Sequence, residues 1–350
     1  MSSHRILITG ASGYLGGTLL ARWNEANLPP TYDKLFALVR TDAQAAAVKQ
    51  QYGAEPLALD VSDEKAVRDA VVEHEISIVY FLIDAMRHEA QVHFIRALAE
   101  VRERTGREVH FLHTTGAKIF SSHAGAPTDR PLLDTDPDLF SIQKAQKARF
   151  PLMQSAVDTN CKIIEESEKY GVRSYIFAPC IVYGKGEGFG NITSIQTVAV
   201  VKAARAMRRV YKVDEGEPWP VCHILDNTSL YLDILRTILT GGDPGHGREG
   251  FFLASSGPVP WDDIYTAVAA ALARRNIVAD DSVVPASPEI LGRMGEALDC
   301  PAEVVSLHIG GKCTFKSERG KRIGWKTQFG PRHIIEAADD EVQLILDNLG

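Results

Sequence analysis

The chain has 350 residues, of which 45% are hydrophobic and 24% are charged, and its formal net charge is −7 at pH 7. This composition is typical of a globular protein with one large or two modest domains. The acidic balance and the absence of a basic block argue against a nucleic-acid partner. No apolar run reaches the length of a membrane span, and the first predicted strand leaves no room for a cleavable signal peptide. We therefore expect a cytoplasmic protein without a membrane partner.

The cysteines and histidines predict neither disulfides nor a metal site. The five cysteines are scattered along the chain and lack CxxC spacing, which indicates reduced, mostly packed thiols. The histidines form no cluster with the spacing of metal ligands, so no metal is expected.

The most informative segment is residues 6–17, which read ILITGASGYLGG. A β-branched apolar run ends at Gly10, glycines recur at Gly13 and Gly16, and an apolar helical pattern follows. Glycines at this spacing let the backbone approach a pyrophosphate, and the start of the helix offers N–H groups to bind it. The segment predicts a dinucleotide-binding loop that comprises Gly10, Ser12, Gly13, Tyr14, Leu15 and Gly16.

Strand and helix patterns alternate through the first half of the chain. The expected strands are His4–Thr9, Lys34–Arg40, Glu55–Leu59, Ser77–Leu82, Glu108–Thr114 and Arg173–Ala178. The expected helices between them are Tyr14–Glu25, Asp42–Gln51, Asp63–Val72, Arg87–Arg104 and Ala148–Tyr170. Alternation of this kind, with near-continuous apolar strands, predicts an α/β fold with a Rossmann-type doubly wound parallel sheet.

Beyond Gly184 the alternation weakens and glycine and proline interrupt the chain. Helical patterns recur at Ile195–Arg209, Ser229–Leu239, Trp261–Arg274, Pro288–Leu298 and His333–Leu349. We predict a dinucleotide-binding domain over residues 1–184, to which segments around 220–255 return. A smaller, discontinuous C-terminal substrate lobe is predicted over residues 185–350.

Four further segments extend the pattern: LDV at 59–61, APCIVYG at 178–184, VCHILD at 221–226 and IGW at 323–325. With the glycine loop, their order and spacing resemble the extended short-chain dehydrogenase/reductase superfamily, of the NAD(P)-dependent epimerase/dehydratase type. The resemblance covers nearly the whole chain, although Ala178 stands where that family usually has arginine. It implies further cofactor contacts at Asp60, Val61, Leu82, Thr114 and Pro179.

Arg40, at the end of the second predicted strand, bears on the choice of cofactor. An acidic residue there would accept hydrogen bonds from an adenosine 2′-hydroxyl and favour NAD(H). An arginine would instead pair with a 2′-phosphate through its planar fork of donors. We therefore predict NADP(H) in preference to NAD(H).

The residues at the family's catalytic positions are unusual. The family has Ser or Thr after the fifth strand and a Tyr-x-x-x-Lys motif on the next helix, whose Tyr transfers the proton. Here Gly116 aligns with the Ser/Thr position, and Thr115 lies one residue earlier. Lys162 aligns with the lysine and Asp158 with the tyrosine, so the Tyr of the motif is missing.

This substitution limits the chemistry. Because an ordinary aspartate is ionised at neutral pH, Asp158 is better suited to act as a base than as an acid. By the resemblance, Lys162 would contact the nicotinamide ribose. Asp84, which follows the fourth strand, is a further candidate for catalysis or for capping the next helix, and His88 and His113 are candidate acids. The candidate substrate residues are Lys118, Tyr183, Asn191 and Ser194.

Three classes of function remain open at this stage, because a fold does not determine the reaction. The first is an NADP(H)-dependent oxidoreductase, epimerase or dehydratase that acts on a small carbonyl or hydroxyl substrate by a non-standard proton relay. The second is a nonredox isomerase or lyase on the same fold. The third is a catalytically inactive NADP-binding sensor. In each case the expected ligand is a small molecule, and a homodimer is the assembly to test.

Overall fold

The computed structural model describes residues 3–214 and 216–349. Its strands are β1 (His4–Ile8), β2 (Tyr32–Val39), β3 (Glu55–Ala58), β4 (Ile78–Phe81), β5 (His110–Thr114), β6 (Leu132–Leu133), β7 (Arg173–Pro179), β8 (Ile181–Tyr183), β9 (Val210–Lys212), β10 (Pro218–His223), β11 (Phe251–Ala254), β12 (Gly257–Pro260), β13 (Val283–Pro285) and β14 (Phe315–Lys316). Its α-helices are α1 (Tyr14–Ala21), α2 (Asp42–Tyr52), α3 (Glu64–Glu73), α4 (Glu89–Thr105), α5 (Leu139–Ala145), α6 (Pro151–Tyr170), α7 (Gln196–Met207), α8 (Ile224–Leu239), α9 (Trp261–Arg274), α10 (Pro288–Leu298), α11 (Val305–Ile309), α12 (Arg319–Arg322), α13 (His333–Glu336) and α14 (Ala338–Asn348). Short 3₁₀-helices lie at Asn24–Ala26, Ala117–Phe120, Ser122–Ala124, Gly247–Glu249 and Ala302–Val304.

The main sheet has seven strands in the order β11-β7-β5-β4-β1-β2-β3, and every pairing in it is parallel. All residues of β4 and β5 are buried, as expected for strands covered on both faces. Helix α3 packs on α4 and α4 on α6, while α1 packs on α8. The predicted Rossmann-type fold is therefore confirmed.

The strand order reverses direction between β1 and β4. From β1 the chain adds β2 and β3 on one side, and then returns to add β4, β5 and β7 on the other side. In open α/β sheets, ligands bind at such a switch point, outside the carboxyl ends of the strands. The fold therefore places the ligand crevice above β1 and β4.

Smaller sheets carry much of the second half of the chain. Strands β8, β10 and β12 form a three-stranded sheet, and β6–β14 and β9–β13 form two-stranded sheets. Strand β11 returns to the main sheet beside β7, whereas β10 lies in the three-stranded sheet. The domain division at residue 184 stays a prediction.

Several predicted helices have different bounds in the structure: α6 starts at Pro151 rather than Ala148, α8 starts at Ile224 rather than Ser229, and the first and last predicted helices differ further. The first helix ends at Ala21 and is followed by a 3₁₀-helix that stops at Asn27, whose φ of 47° lies in the left-handed region that asparagine tolerates. The helix predicted over His333–Leu349 is divided into α13 and α14.

Asp134 connects the main sheet to the C-terminal segment. Its carboxylate, 1% exposed, accepts hydrogen bonds from the backbone N–H groups of Leu253 in β11, at 3.1 Å, and of Glu318 and Arg319 at the start of α12, at 2.7 and 2.8 Å. Burial raises the pKa of Asp134 to about 6, although the three N–H donors act in the opposite direction.

Replacing Asp134 with alanine should destabilise the protein. Asp134→Ala leaves three N–H groups of the interior without an acceptor, and an unsatisfied buried donor costs about 1–3 kcal/mol. Urea unfolding should show a loss of free energy of at least that size. The control is Asp129→Ala, which removes an exposed aspartate nearby and should have little effect. Equal stability of the two variants would contradict the assigned role of Asp134.

Candidate active site

The glycine loop between β1 and α1 requires the absence of side chains at specific positions. Gly10 has a φ of +71°, which non-glycine residues rarely adopt. A Cβ atom on Gly16 would lie 2.4 Å from the Gly10 carbonyl oxygen, so α1 can start this close to β1 only with glycine there. Gly13 is the N-cap of α1, and no side chain caps the helix. The first N–H groups of α1 are therefore suited to bind a pyrophosphate.

A cleft of about 690 Å³ opens at the carboxyl ends of β1, β2 and β4. Apolar side chains, including Leu38 and Val61, form part of its wall and offer a surface for a flat ring such as adenine. Of the residues predicted from the sequence, the cleft contains Gly10, Ser12, Arg40, Val61 and Asp84. Sequence analysis missed Ala11, Leu38, Gln44, Ser62, Phe81, Ile83, Arg87, Glu89, Ala90, Gln91 and His93.

Two arginines line this cleft, and their surroundings differ. Arg87 pairs with Asp84, with Nε and Oδ2 2.9 Å apart. Arg40 is exposed and has no carboxylate partner among the described residues; its backbone N–H donates to Oε1 of Gln44 at 2.8 Å. The Arg40 guanidinium is therefore available to an anionic ligand in the cleft.

Asp84 holds the turn that follows β4. Its Oδ1 accepts hydrogen bonds from the N–H groups of Met86, at 2.8 Å, and Arg87, at 3.2 Å, while its carbonyl oxygen accepts from Nε2 of Gln91 at 2.7 Å. Through these contacts, Asp84 stabilises the turn at the rim of the cleft. A catalytic role for it stays a prediction, as does one for His88, which is the N-cap of α4.

Several other predicted cofactor residues are absent from the lining of the cleft. The hydroxyl of Tyr14 donates to the carbonyl of Gly184 at 2.7 Å. Oδ1 of Asp60 accepts hydrogen bonds from the N–H and hydroxyl of Ser62, at 2.9 and 2.7 Å. Leu15 follows Tyr14 on the first turn of α1, and the N–H of Leu82 donates to Oγ1 of Thr9 at 2.7 Å.

The carboxyl end of β5 carries polar groups, some of which lack partners. Thr114 shares a hydrogen bond of 2.7 Å with the hydroxyl of Tyr231. The buried Oγ1 of Thr115 has no hydrogen-bond partner among the described residues, and neither do the two ring nitrogens of His113. Burial lowers the pKa of His113 to about 3, so this imidazole is neutral at physiological pH and is no proton donor as a cation. Pro179 ends the neighbouring strand β7 and is buried.

Asp158 and Lys162 lie outside the cleft. Asp158 is exposed and its Oδ1 accepts from Nε2 of Gln154 at 2.9 Å; Nζ of Lys162 donates to Oε1 of Glu166 at 2.8 Å. Helix α6 leads into β7, so its first turn lies nearest the carboxyl edge of the sheet. Asp158 comes seven residues after Pro151, about 10 Å further along the helix. Catalysis by Asp158 and ribose binding by Lys162 stay predictions.

The predicted substrate residues are spread over two loops. Tyr183 is fully buried, with its hydroxyl 3.1 Å from Nδ1 of His333. Asn191 is exposed, and its Oδ1 accepts from the N–H and hydroxyl of Thr193. Ser194 is buried, and Lys118 lies on the 3₁₀-helix that follows β5.

Sequence analysis missed that the loop after β8 packs against the glycine loop. A Cβ atom on Gly17 would lie 2.3 Å from Cα of Gly188, and the N–H of Gly190 donates to the carbonyl of Ser12 at 2.9 Å. Nε of Arg22 donates to Oε2 of Glu187 at 2.7 Å. The signal in the sequence was a glycine at every second position from 184 to 190.

No helix in residues 3–214 and 216–349 is long and apolar enough to cross a membrane. No group of three or more His, Cys, Asp and Glu side chains in these ranges could hold a metal ion.

Comparison with solved structures finds sugar-nucleotide enzymes of the same fold. A UDP-glucose 4-epimerase from Thermotoga maritima, solved with UDP-glucose, has 13% sequence identity and a TM-score of 0.62, and the match covers 99% of this chain and 100% of that one. A dTDP-glucose 4,6-dehydratase from Bacillus anthracis, in complex with NAD, has 10% identity and a TM-score of 0.63, with 99% and 97% covered. The dTDP-glucose 4,6-dehydratase of Streptomyces venezuelae, with NAD bound, has 13% identity and a TM-score of 0.64, with 98% and 97% covered.

Comparison with sequences and family models gives the assignment. No curated protein sequence matches this chain. The model of the NAD dependent epimerase/dehydratase family matches residues 6–246, which is more than half of the chain and includes the glycine loop, β5 and α6. The chain therefore belongs to the NAD dependent epimerase/dehydratase family.

Proposed function

We propose that this protein is an NADP(H)-dependent enzyme that acts on a small substrate with a carbonyl or hydroxyl group, by a proton relay that lacks the family's tyrosine. The observation that carries the choice of cofactor is the Arg40 guanidinium, which lines the cleft without a carboxylate partner in the described part of the chain. A 2′-phosphate would supply the anion that this guanidinium lacks.

Different residues of the cleft bind different parts of the dinucleotide. The first N–H groups of α1, beside Gly13, bind the pyrophosphate, and Val61 and its apolar neighbours hold the adenine. Arg40 binds the 2′-phosphate. When bound, the nicotinamide supplies or accepts a hydride. The groups at the end of β5, including Thr115, then face the reacting end because β5 lies next to β4 in the sheet.

The ligands bound in the similar solved structures indicate which compounds to test first as substrates. UDP-glucose and NAD are bound in structures that share this fold. The unpartnered hydroxyl of Thr115 offers a donor for a substrate oxygen. Nucleotide sugars and small ketones are therefore the first compounds to screen.

Arg40→Asp should reduce the affinity for NADPH. The change removes a charge-assisted pair worth about 1.5–3 kcal/mol, which corresponds to roughly a 10- to 100-fold rise in Kd, and it leaves NADH binding the same or tighter. Calorimetric titration with both nucleotides measures the effect. The control is Arg205→Asp, which makes the same change of charge on an exposed face of α7. Equal affinity of the wild type for both nucleotides, unchanged in Arg40→Asp, would contradict the proposal.

Restoring the family's residues should not restore its relay. In the double variant Asp158→Tyr with Gly116→Ser, the new tyrosine stands on the exposed face of α6, about 10 Å along the helix from its first turn. We expect no gain in the oxidation of NADPH by a panel of ketones and nucleotide sugars, followed by the absorbance of the reduced nicotinamide. A rate above that of the wild type would show that position 158 does reach the reacting atoms.

Deuterium transfer separates the redox enzyme from its alternatives. Incubation with NADPH that carries deuterium on the hydride-bearing carbon should place the label in a reduced substrate, since hydride moves directly between cofactor and substrate. Mass spectrometry of the products detects it. Conversion of a substrate that gives no labelled product and does not depend on the cofactor would favour a nonredox isomerase or lyase. Tight binding of NADPH without conversion of any compound would favour a sensor.

A further inference from the structure

The 3₁₀-helix at Ala117–Phe120 carries a lysine at the edge of the sheet where the reaction is proposed. It follows the carboxyl end of β5, and Lys118 comes three residues after Thr115, whose buried hydroxyl is unpartnered in the described structure. Lys118 thus lies on the segment that leaves the carboxyl end of β5, whereas Lys162 lies on α6 and pairs with Glu166.

Contacts from distant parts of the chain fix this short helix. Nε2 of Gln146 donates to the carbonyls of Ile119 and Ala124, each at 2.9 Å. The N–H of Ser122 donates to the carbonyl of Lys312 at 2.9 Å, and the N–H of Lys312 returns a bond of 3.1 Å to Oγ of Ser122. The backbone that carries Lys118 is thus held from α5 and from the C-terminal segment, as a preorganised catalytic group requires.

The ammonium of Lys118 has no ion pair or hydrogen bond among the described residues. Its titratable neighbours are His123, on the next 3₁₀-helix, and His308, on α11; each has a lowered pKa, first by burial and further by the charge of Lys118. Asp214, whose charge raises the pKa of His123, accepts the N–H of Gly311 at 2.6 Å. Burial lowers the pKa of Lys118 to about 8.

Lys118 is partly buried, and an unpaired ammonium that is partly withdrawn from water lowers the stability of the folded chain; such lysines concentrate at functional sites. A group with a pKa near the working pH is also the most effective acid or base, because both of its forms are accessible. Other candidates named from the sequence differ from Lys118 in this respect: His113 is neutral, Asp84 pairs with Arg87, Asp158 accepts a hydrogen bond from Gln154, and Lys162 pairs with Glu166.

We infer that Lys118 is the catalytic proton donor and acceptor of this protein, in the place of the family's missing tyrosine. The inference rests on the proposed function. In the direction of reduction, a hydride from the reduced nicotinamide dinucleotide adds to the carbonyl carbon, and the C=O π electrons move to the oxygen. That oxygen takes a proton from Nζ of Lys118, which leaves an alcohol and a neutral amine, and water reprotonates the amine. In the direction of oxidation, the neutral amine removes the hydroxyl proton.

Amine labelling tests the environment of Lys118 without a substrate. The wild-type protein is treated with trace acetic anhydride between about pH 6 and pH 11, and each lysine is quantified by peptide mass spectrometry. Labelling of Lys118 should follow a pKa of about 8, whereas the exposed Lys65 should follow an ordinary or higher one. Bound NADPH should slow the labelling of Lys118 and leave Lys65 unchanged. An ordinary lysine titration at Lys118, or labelling that NADPH does not alter, would overturn the inference.

Variants of Lys118 test the chemical step. The substrate is the first compound that takes up deuterium from the labelled NADPH. Lys118→Met should bind NADPH within about threefold of the wild type and lose about 10²- to 10⁴-fold in kcat, the usual contribution of a positioned acid. In the wild type, the rate of carbonyl reduction should fall as the pH rises through about 8, because Lys118 loses its proton. The arginine in Lys118→Arg does not lose its proton, so the pH profile of that variant should not show the fall. The matched control is Lys202→Met, which removes an exposed lysine of α7.

The two proposals fail in different ways. If the wild type binds no NADPH, the proposed function is wrong and the assignment of Lys118 falls with it. If NADPH binds and deuterium is transferred, but Lys118→Met keeps the wild-type kcat and pH profile, only the assignment of Lys118 is wrong. Should Lys118→Met not fold, Lys118→Arg and the labelling of the wild type decide the question.

Discussion

The close approach of α1 to β1 is the contact on which the rest of the site depends. With no Cβ on Gly16, the first turn of the helix packs onto the carbonyl of Gly10. That contact directs the first N–H groups of α1 toward the crevice where the strand order reverses. A methyl group at Gly16 would move the helix, and both the pyrophosphate cradle and the cleft beside Arg40 would change with it.

A second close contact between backbones supports the glycine loop from the segment that follows β8. Gly188 meets Gly17 backbone to backbone, and the pairing of Glu187 with Arg22 holds the loop after β8 in place. The cofactor loop is therefore supported by the segment that follows β8. In the loop that follows β5, the C-terminal segment around Lys312 holds Ser122, four residues after Lys118. Both halves of the candidate site thus depend on residues far along the chain.

The sequence predicted the parts of the site that depend on local geometry. The strand–glycine–helix pattern and the place of Arg40 at the end of β2 follow from neighbouring residues, and the structure places Gly10 and Arg40 in one cleft. The side-chain directions of Asp158 and Lys162 could not be predicted in this way. Alignment with a motif gives a position along α6, but the rotation of the helix against the sheet is set by the packing of its buried face. The surroundings of Lys118 include His308, whose pKa its charge lowers and which is remote in sequence, so local patterns could not predict them.

A structure of the protein crystallised with NADP and a reducible substrate tests the account most directly. The account predicts the 2′-phosphate within about 3 Å of the Arg40 guanidinium, and a substrate oxygen at a similar distance from Nζ of Lys118. A 2′-phosphate that points to solvent, or a nicotinamide whose hydride-bearing carbon lies beyond the reach of the loop after β5, would contradict it.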